Sequence, residues 1–485
     1  MNSALRRLSV AVLLLFGLLL LNANYLQVVR ADALHNDSHN PRLIAEEYSR
    51  ERGPILVGGK TVARSVETND RLKFLRQYTE GKLYAPATGF YSVVYGATGI
   101  EQAENSVLAG TDDSLFVRRV IDLLTGTPPK GGSVALTLNA AAQKAAYDGL
   151  RKLNARGAVV AVDPSTGAIL AMVSTPSFDP NGLASHDTAT VRRNYARLSS
   201  QKSQPMLNRA LRQTYPPGST FKLVTAAAAL ESGRYSPDSK VDNAPSLDLP
   251  QTTSDLPNEN GGPCTTSGEA TLTIALENSC NVAFGDLGLQ LGADALRTQA
   301  EKFGFNSAFE VPMRSAVSRF PENPNPPQTA QSAIGQFDVR ATPLQMAMVA
   351  AAIANRGVQM APYLVQEVRA PDLSVLETTK PRPLRVSVSP QTAASLTDMM
   401  VKVVEQGTGT NGQIPGVKVA GKTGTAQQGP GQTPHAWFVS FAPADTDPKV
   451  AVAVIVEDGA QQAEISGNGL AAPIARAVME AVLGK

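Results

Sequence analysis

At 485 residues the chain is long enough for two or three domains, because one core rarely organises more than about 250–300 residues. Hydrophobic residues make up 43% and charged residues 18%, and 44 basic against 42 acidic side chains leave a net charge of +2. That balance offers no basic field for nucleic acid and no acidic tail for a basic partner. Two cysteines, Cys264 and Cys280, are too few for a disulfide scaffold, and no second pair completes a zinc site. The four histidines (His35, His39, His186 and His435) are scattered with no HExxH pattern, so neither a metal nor another cofactor is expected.

The first element in chain order is an apolar run. Arg6 and Arg7 precede residues 8–21, and a weaker apolar character continues to Val29. Residues 8–29 would reach about 33 Å as a helix, enough to cross the hydrocarbon core. The arginine flank predicts a cytoplasmic N-terminus, a single pass through the cell membrane and an extracytoplasmic body. A cleaved signal peptide competes with this reading, since Asn22, Asn24 and Gln27 weaken the far end. No small-x-small site follows the run, which favours an uncleaved anchor.

Residues 31–133 carry short helical and strand patterns broken by Gly and Pro, and Lys130-Gly131-Gly132 reads as a linker. The expected division is therefore 1–30, 31–133 and 134–485. In the last part, residues 134–138 predict a strand and 139–153 an Ala-rich helix. Residues 157–162 and 168–173 flank Asp163-Pro164-Ser165-Thr166-Gly167 as a β-hairpin. Polar loop sequence leads to Tyr215-Pro216-Pro217-Gly218, and a helix over 219–231 is stopped by Ser232-Gly233. A loop-rich insertion over 234–268 precedes helical patterns near 271–303 and 343–356. Strand candidates at 417–427, 436–442 and 449–457 are followed by a final helix over 471–483. Strands at both ends with helices between them predict an α+β domain, one antiparallel sheet covered by helices.

Three short elements carry chemistry. Ser219-Thr220-Phe221-Lys222 puts a hydroxyl and an amine on one face of a helix start. A serine nucleophile needs a base, and lysine serves if burial or another cation lowers its pKa. Ser279-Cys280-Asn281 ends a helical run and offers a second hydroxyl to relay a proton and an amide to bind substrate. Lys422-Thr423-Gly424-Thr425, inside a strand candidate, offers a cation, two hydroxyls for a carboxylate and a glycine that permits close approach. Each element has a bland reading: a capping serine, a turn asparagine, a hairpin glycine. Decoys exist too, in Ser199 with Lys202, Ser38-His39-Asn40 and Ser466-Gly467-Asn468. The decoys lack neighbours, whereas the three chosen elements occur in order on a helix start, a connecting loop and a strand.

That ordered set occurs in penicillin-binding proteins and serine β-lactamases. The chain resembles the monofunctional, class B penicillin-binding proteins, particularly the actinobacterial members. Arg52-Gly53-Pro54-Ile55, Gly99-Ile100-Glu101, Thr342-Pro343-Leu344-Gln345 and His435-Ala436-Trp437-Phe438 extend the likeness along nearly the whole chain. The resemblance implies a β-lactamase-like transpeptidase domain, a smaller N-terminal pedestal or dimerisation-like domain and a membrane anchor. It implies that Ser219 is acylated by a D-Ala-D-Ala stem peptide, that an amine on a neighbouring stem takes the acyl group, and that β-lactams inhibit covalently. Lys222 would be the base, Ser279 the relay and Asn281 an amide contact. Lys422, Thr423 and Thr425 would hold the terminal carboxylate, with Gly424 between them. The backbone N–H groups of Ser219 and Thr425 would form the oxyanion hole. A membrane-embedded glycan polymerase and proteins of division or elongation are the partners it implies.

Asp is common in related enzymes where this chain has Cys280. With Cys264 only 16 residues away, a disulfide in an oxidising compartment is expected, against two unpaired buried thiols. A serine β-lactamase is disfavoured because no E-x-x-L-N lies between Asn281 and Lys422. Residues 31–133 are too short for a glycan polymerase. A D,D-carboxypeptidase and a non-enzymatic β-lactam sensor or scaffold remain as alternatives. The sensor lacks an expected cytoplasmic domain, and the scaffold reading sits poorly with Ser219, Lys222 and Lys422 all present.

Overall fold

The structure is a computed structural model that describes residues 3–30, 47–115, 124–126, 128, 130–427, 432–457 and 465–485. The Ser38-His39-Asn40 match lies outside the described residues. A helix over Ser3–Asn24 continues into a wider turn at Tyr25–Val29. Within it Leu5–Gln27 is long and apolar enough to cross a membrane, and none of the other described residues buries it. Leu13 and Leu21 are 75% and 69% exposed. Such a surface fits lipid, since each leucine left in water forgoes about 1.5–3 kcal/mol of burial. The helix fits a single-pass anchor.

Beyond the anchor, a six-stranded sheet runs in the order Val375–Thr378, Val365–Arg369, Ser133–Leu136, Ile55–Val57, Lys60–Glu67, Phe74–Tyr78. Ile55–Val57 pairs in parallel with Ser133–Leu136, and the other neighbours are antiparallel. Two of its strands come from far along the chain. The expected Lys130-Gly131-Gly132 linker is a packed crossing instead: Gly131 N donates to Glu51 O at 2.8 Å and Gly132 N to Val107 O at 2.9 Å. Beneath this sheet, the buried carboxylate of Glu101 takes Arg52 Nε and Arg76 Nε, each at 2.6 Å. Tyr78 donates its hydroxyl to the same carboxylate at 3.1 Å.

The C-terminal part is built on a five-stranded antiparallel sheet. Its order is Ala420–Ala426, His435–Ala442, Val450–Val456, Gly157–Val162, Ile169–Thr175. Val450–Val456 reads Val-Ala-Val-Ala-Val-Ile-Val and is buried throughout, as expected of a strand covered on both faces. On one face Val450, Val452, Val454 and Val456 pack with Ala146, Leu150, Ile474 and Val478 from helices Ala140–Lys152 and Ala472–Leu483. On the other, Ala451, Ala453 and Ile455 meet Leu344 and Val349 of the wholly buried helix Pro343–Ala354. This is the antiparallel, helix-covered α+β arrangement.

Three local expectations are corrected. The helical pattern near 271–303 opens at Ser279, as expected of a connecting loop, but breaks a second time at Gly292, giving Leu272–Glu277, Asn281–Leu291 and Ala293–Lys302. The polar stretch before Tyr215 contains the helix Thr188–Ser199, started by the Asp187 side chain accepting from Ala189 N. Ser219 stands in a tight 3-10 turn, Gly218–Phe221, that leads into the α-helix Lys222–Glu231.

Burial raises the Glu101 pKa, but the charges of Arg76 and Arg52 and their hydrogen bonds outweigh it and hold the carboxyl below its usual value. Stability from this group is present above the unfolded carboxylate pKa and is lost as pH falls through the depressed folded value. Glu101→Gln leaves two buried guanidiniums short of a countercharge and is expected to cost roughly 3–5 kcal/mol. Urea unfolding at neutral pH measures this, and the gap to wild type should narrow in acid.

Candidate active site

The nucleophile candidate is positioned by backbone contacts. Gly218 has φ +52°, and a Cβ there would come 2.9 Å from Thr425 O. Its N–H donates to Gly335 O at 3.0 Å. Trp437 Nε1 donates to Pro216 O at 3.0 Å and Thr220 Oγ1 to Pro217 O at 2.7 Å. The turn is thereby locked against the Ala420–Ala426 strand. Ser219 is 9% exposed, and its hydroxyl makes no hydrogen bond among the described residues. It heads the helix whose N-terminus favours negative charge.

One turn on, Lys222 is fully buried. Its Nζ donates to Ser279 O at 2.7 Å and Asn281 Oδ1 at 2.7 Å, and lies 3.4 Å from Ser279 Oγ. Lys422, equally buried, donates from Nζ to Ser279 Oγ at 2.8 Å and Thr423 O at 3.0 Å. Both amines therefore converge on one serine hydroxyl. Burial and the charge of Lys422 push Lys222 well below the ordinary lysine pKa. Burial brings Lys422 down to about 7. Glu259, an exposed carboxylate of the insertion, acts on both in the opposite direction.

Ser279 holds its place through a strained backbone, with φ +59°. The Cys264–Cys280 disulfide, with Cα atoms 5.5 Å apart, ties the next residue to the insertion. Asn278 Nδ2 donates to Cys264 O and Asn281 Nδ2 to Pro257 O, both at 3.1 Å. Val282 N donates to Asn258 Oδ1 at 3.1 Å. The loop-rich insertion is thus a brace for Ser279 and Asn281.

The third motif lies on Ala420–Ala426, an outer strand paired on one side with His435–Ala442. A Cβ on Gly424 would come 2.9 Å from Thr220 Cγ2 and 3.1 Å from Pro217 O, so glycine lets the strand close on the Ser219 turn. The Thr423 and Thr408 hydroxyls are 2.7 Å apart, and Thr425 is half-buried. The structure brings Lys222, Ser279, Asn281 and Lys422 into one bonded cluster. Ser219 lies one turn from Lys222, and Thr423, Gly424 and Thr425 continue the Lys422 strand. The decoys have local duties: Ser199 Oγ donates to Ala196 O, and Ser466 Oγ accepts from Gly469 N. Thr408 and Glu259 escaped the sequence reading. Neither stands in a motif, and both reach the site only through folding.

A family model described as the penicillin-binding protein transpeptidase domain matches residues 157–480. The chain belongs to this family. A second model, the penicillin-binding protein A dimerisation domain, matches residues 52–134. Among this family's curated members, peptidoglycan D,D-transpeptidase PbpA of Mycolicibacterium smegmatis is 48% identical, over 100% of this chain and 99% of its own. The protein of the same name from Mycobacterium tuberculosis is also 48% identical, over 100% and 99% of the two chains. A solved structure of penicillin-binding protein A from M. tuberculosis, as its ceftriaxone acyl-enzyme complex, superposes with a TM-score of 0.87. It shares 46% identity and covers 90% of this chain and 100% of that one.

Removing both cysteines (C264S/C280S) opens a loop closed across 16 residues and is expected to cost about 3 kcal/mol. Urea unfolding checks the stability. Labelling by a fluorescent penicillin should slow in the same variant, because Ser279 loses the tether beside its strained backbone.

Proposed function

We propose that the protein is a peptidoglycan D,D-transpeptidase that works through a Ser219 acyl-enzyme and is inhibited covalently by β-lactams. The observation that carries the proposal is the free Ser219 hydroxyl one helical turn from a buried amine, with the Ser279 hydroxyl held between Lys222 and Lys422. The relatives named D,D-transpeptidases, and the acyl-enzyme structure among them, support the same reading.

In this reading Lys222 is neutral and takes the Ser219 proton as Oγ attacks the penultimate D-Ala carbonyl. Oxygen charge builds on the tetrahedral intermediate, where the N–H groups of Ser219 and Thr425 stabilise it. Ser279 passes a proton from the lysine pair to the departing D-Ala amine, and the C–N bond breaks. An amine on a second stem then attacks the ester, loses its proton along the same relay, and frees Ser219. Lys422, Thr423 and Thr425 hold the substrate carboxylate, and Gly424 keeps the strand close to the nucleophile. Asn281 contacts the donor amide. The outer edge of Ala420–Ala426 leaves backbone groups to pair with an extended peptide.

The anchor, with Arg6 and Arg7 on its N-terminal flank, supports an orientation that leaves the catalytic part outside the cytoplasm. Residues 31–133 act as the pedestal and 134–485 carry the transpeptidase activity. A membrane glycan polymerase and proteins of division or elongation are the proposed partners, by analogy with the family.

Ser219→Ala should abolish covalent labelling by fluorescent penicillin while the thermal unfolding profile stays near wild type. Equal labelling of the two proteins would overturn the assignment. With a D-Ala-D-Ala donor and a D-amino-acid acceptor, mass spectrometry should find the transfer product in excess of the hydrolysed one.

The pH profile is also determined by the site. Above its depressed pKa a lysine is neutral, so Lys422 loses its charge as pH rises through about 7. The acylation rate with a carboxylate-bearing penicillin should fall across that range. Lys422→Arg, which stays charged, should move the falling limb to higher pH.

A further inference from the structure

The mechanism above fixes where the second substrate must come. The acceptor amine attacks the carbon that the D-Ala amine has just left, so both amines use one position and one proton relay. That position lies within hydrogen-bond reach of Ser279 Oγ, itself held between Lys222 and Lys422.

The loop-rich insertion walls this position on one side. Ser246–Asp248 and Asp255–Pro257 pair as an antiparallel ribbon, and Pro257 O accepts Asn281 Nδ2 at 3.1 Å. Asn258, 5% exposed, accepts Val282 N on Oδ1 and donates from Nδ2 to Ala244 O at 3.2 Å and Gly262 O at 2.9 Å. The chain then turns over residues 258–261, closed by Gly261 N donating to Asn258 O at 3.0 Å, with Gly261 at φ +68°. Glu259 is the first residue on the crest of this turn. Its side chain is exposed and, among the described residues, makes no hydrogen bond or ion pair. Its charge nonetheless reaches Lys222 and Lys422, where it opposes the fall of both pKa values. A carboxylate that acts on both amines and bonds neither stands at the mouth of the site, one residue beyond the anchors at Asn281 and Val282.

Glu259 meets a charge problem in the second half of the reaction. An alkyl amine is an ammonium at neutral pH, and it must approach a lysine pair that is itself partly cationic. Lys422 keeps its proton up to about pH 7. Like charges repel at short range, and a carboxylate at the entrance offsets that repulsion.

We infer that Glu259 receives the ammonium group of the acceptor stem and guides it to the Ser219 ester, so that it sets a preference for cationic acceptors. The assignment rests on the transpeptidase reading above and adds how that site takes its second substrate. The ammonium gives one proton to water at the exposed mouth and attacks as the free amine. The new C–N bond forms as the bond from the acyl carbon to Ser219 Oγ breaks. The second proton passes through Ser279 and Lys222 to Ser219 Oγ.

The test divides one acyl-enzyme between acceptors, so that the rate of acylation cancels. Protein acylated by a D-Ala-D-Ala peptide is offered either a stem peptide with a free side-chain amine, which arrives as an ammonium, or hydroxylamine, which is largely uncharged at neutral pH. Mass spectrometry reads transfer over hydrolysis for each. In Glu259→Gln the ratio for the stem amine should fall about threefold to fivefold, the scale of one exposed ion pair, while the ratio for hydroxylamine holds at the wild-type value. Glu259→Lys, which reverses the charge, should deepen the loss for the stem amine to about tenfold. An unchanged stem-amine ratio in Glu259→Gln overturns the proposal. Equal loss with both acceptors also overturns it, because the carboxylate would then be acting through the lysines and not on the incoming charge. Fluorescent-penicillin labelling of the same wild-type sample tests Ser219 separately, so the acceptor contact can fail while the enzyme assignment stands.

Discussion

Two lysine amines withdrawn from water around one serine hydroxyl set the terms for the rest of the catalytic half. Burying an ammonium is costly, and two within reach of the same oxygen raise that cost. The protein meets it by letting the pKa values fall and by supplying oxygen acceptors: Ser279 O, Asn281 Oδ1 and Thr423 O. That arrangement holds only while Ser279 is fixed. Its strained backbone, the neighbouring disulfide and the hydrogen bonds from the 257–258 segment serve that purpose. Close backbone contact at Gly218 and Gly424 brings the nucleophile turn and the Lys422 strand to the same place.

Much of this was legible in the sequence because its signals are local. The three motifs, the Pro-Pro-Gly before Ser219 and the terminal strands all declare themselves within a few residues. The two covered faces of the central strand are written in its unbroken run of Val, Ala and Ile. What was not legible depends on distant partners. The connection at Ser279 was expected but its positive φ was not, since serine carries no signature for it, and the second break at Gly292 interrupts a pattern that alone reads as helix. Helix Thr188–Ser199 is polar and buries only Val191 and Leu198, so its period is faint. Gly131 and Gly132 looked slack because composition cannot tell a flexible glycine from one pressed against another chain segment.

The N-terminal half solves a different electrostatic problem by a different means. Glu101 stays charged in a buried setting because two guanidiniums and a tyrosine surround it. At the active site the buried charges are alike and are relieved by losing protons. Here they are opposite and are held by direct pairing. One region stores reactivity, the other rigidity.

The six-stranded sheet carries a mechanical consequence. Strand Ser133–Leu136 lies between Ile55–Val57 on one side and Val365–Arg369 on the other. A load applied at residues 55–57 therefore passes sideways, through ladder hydrogen bonds, into chain that returns from beyond the nucleophile. The catalytic body is therefore joined to the first sheet by paired strands as well as by the covalent chain.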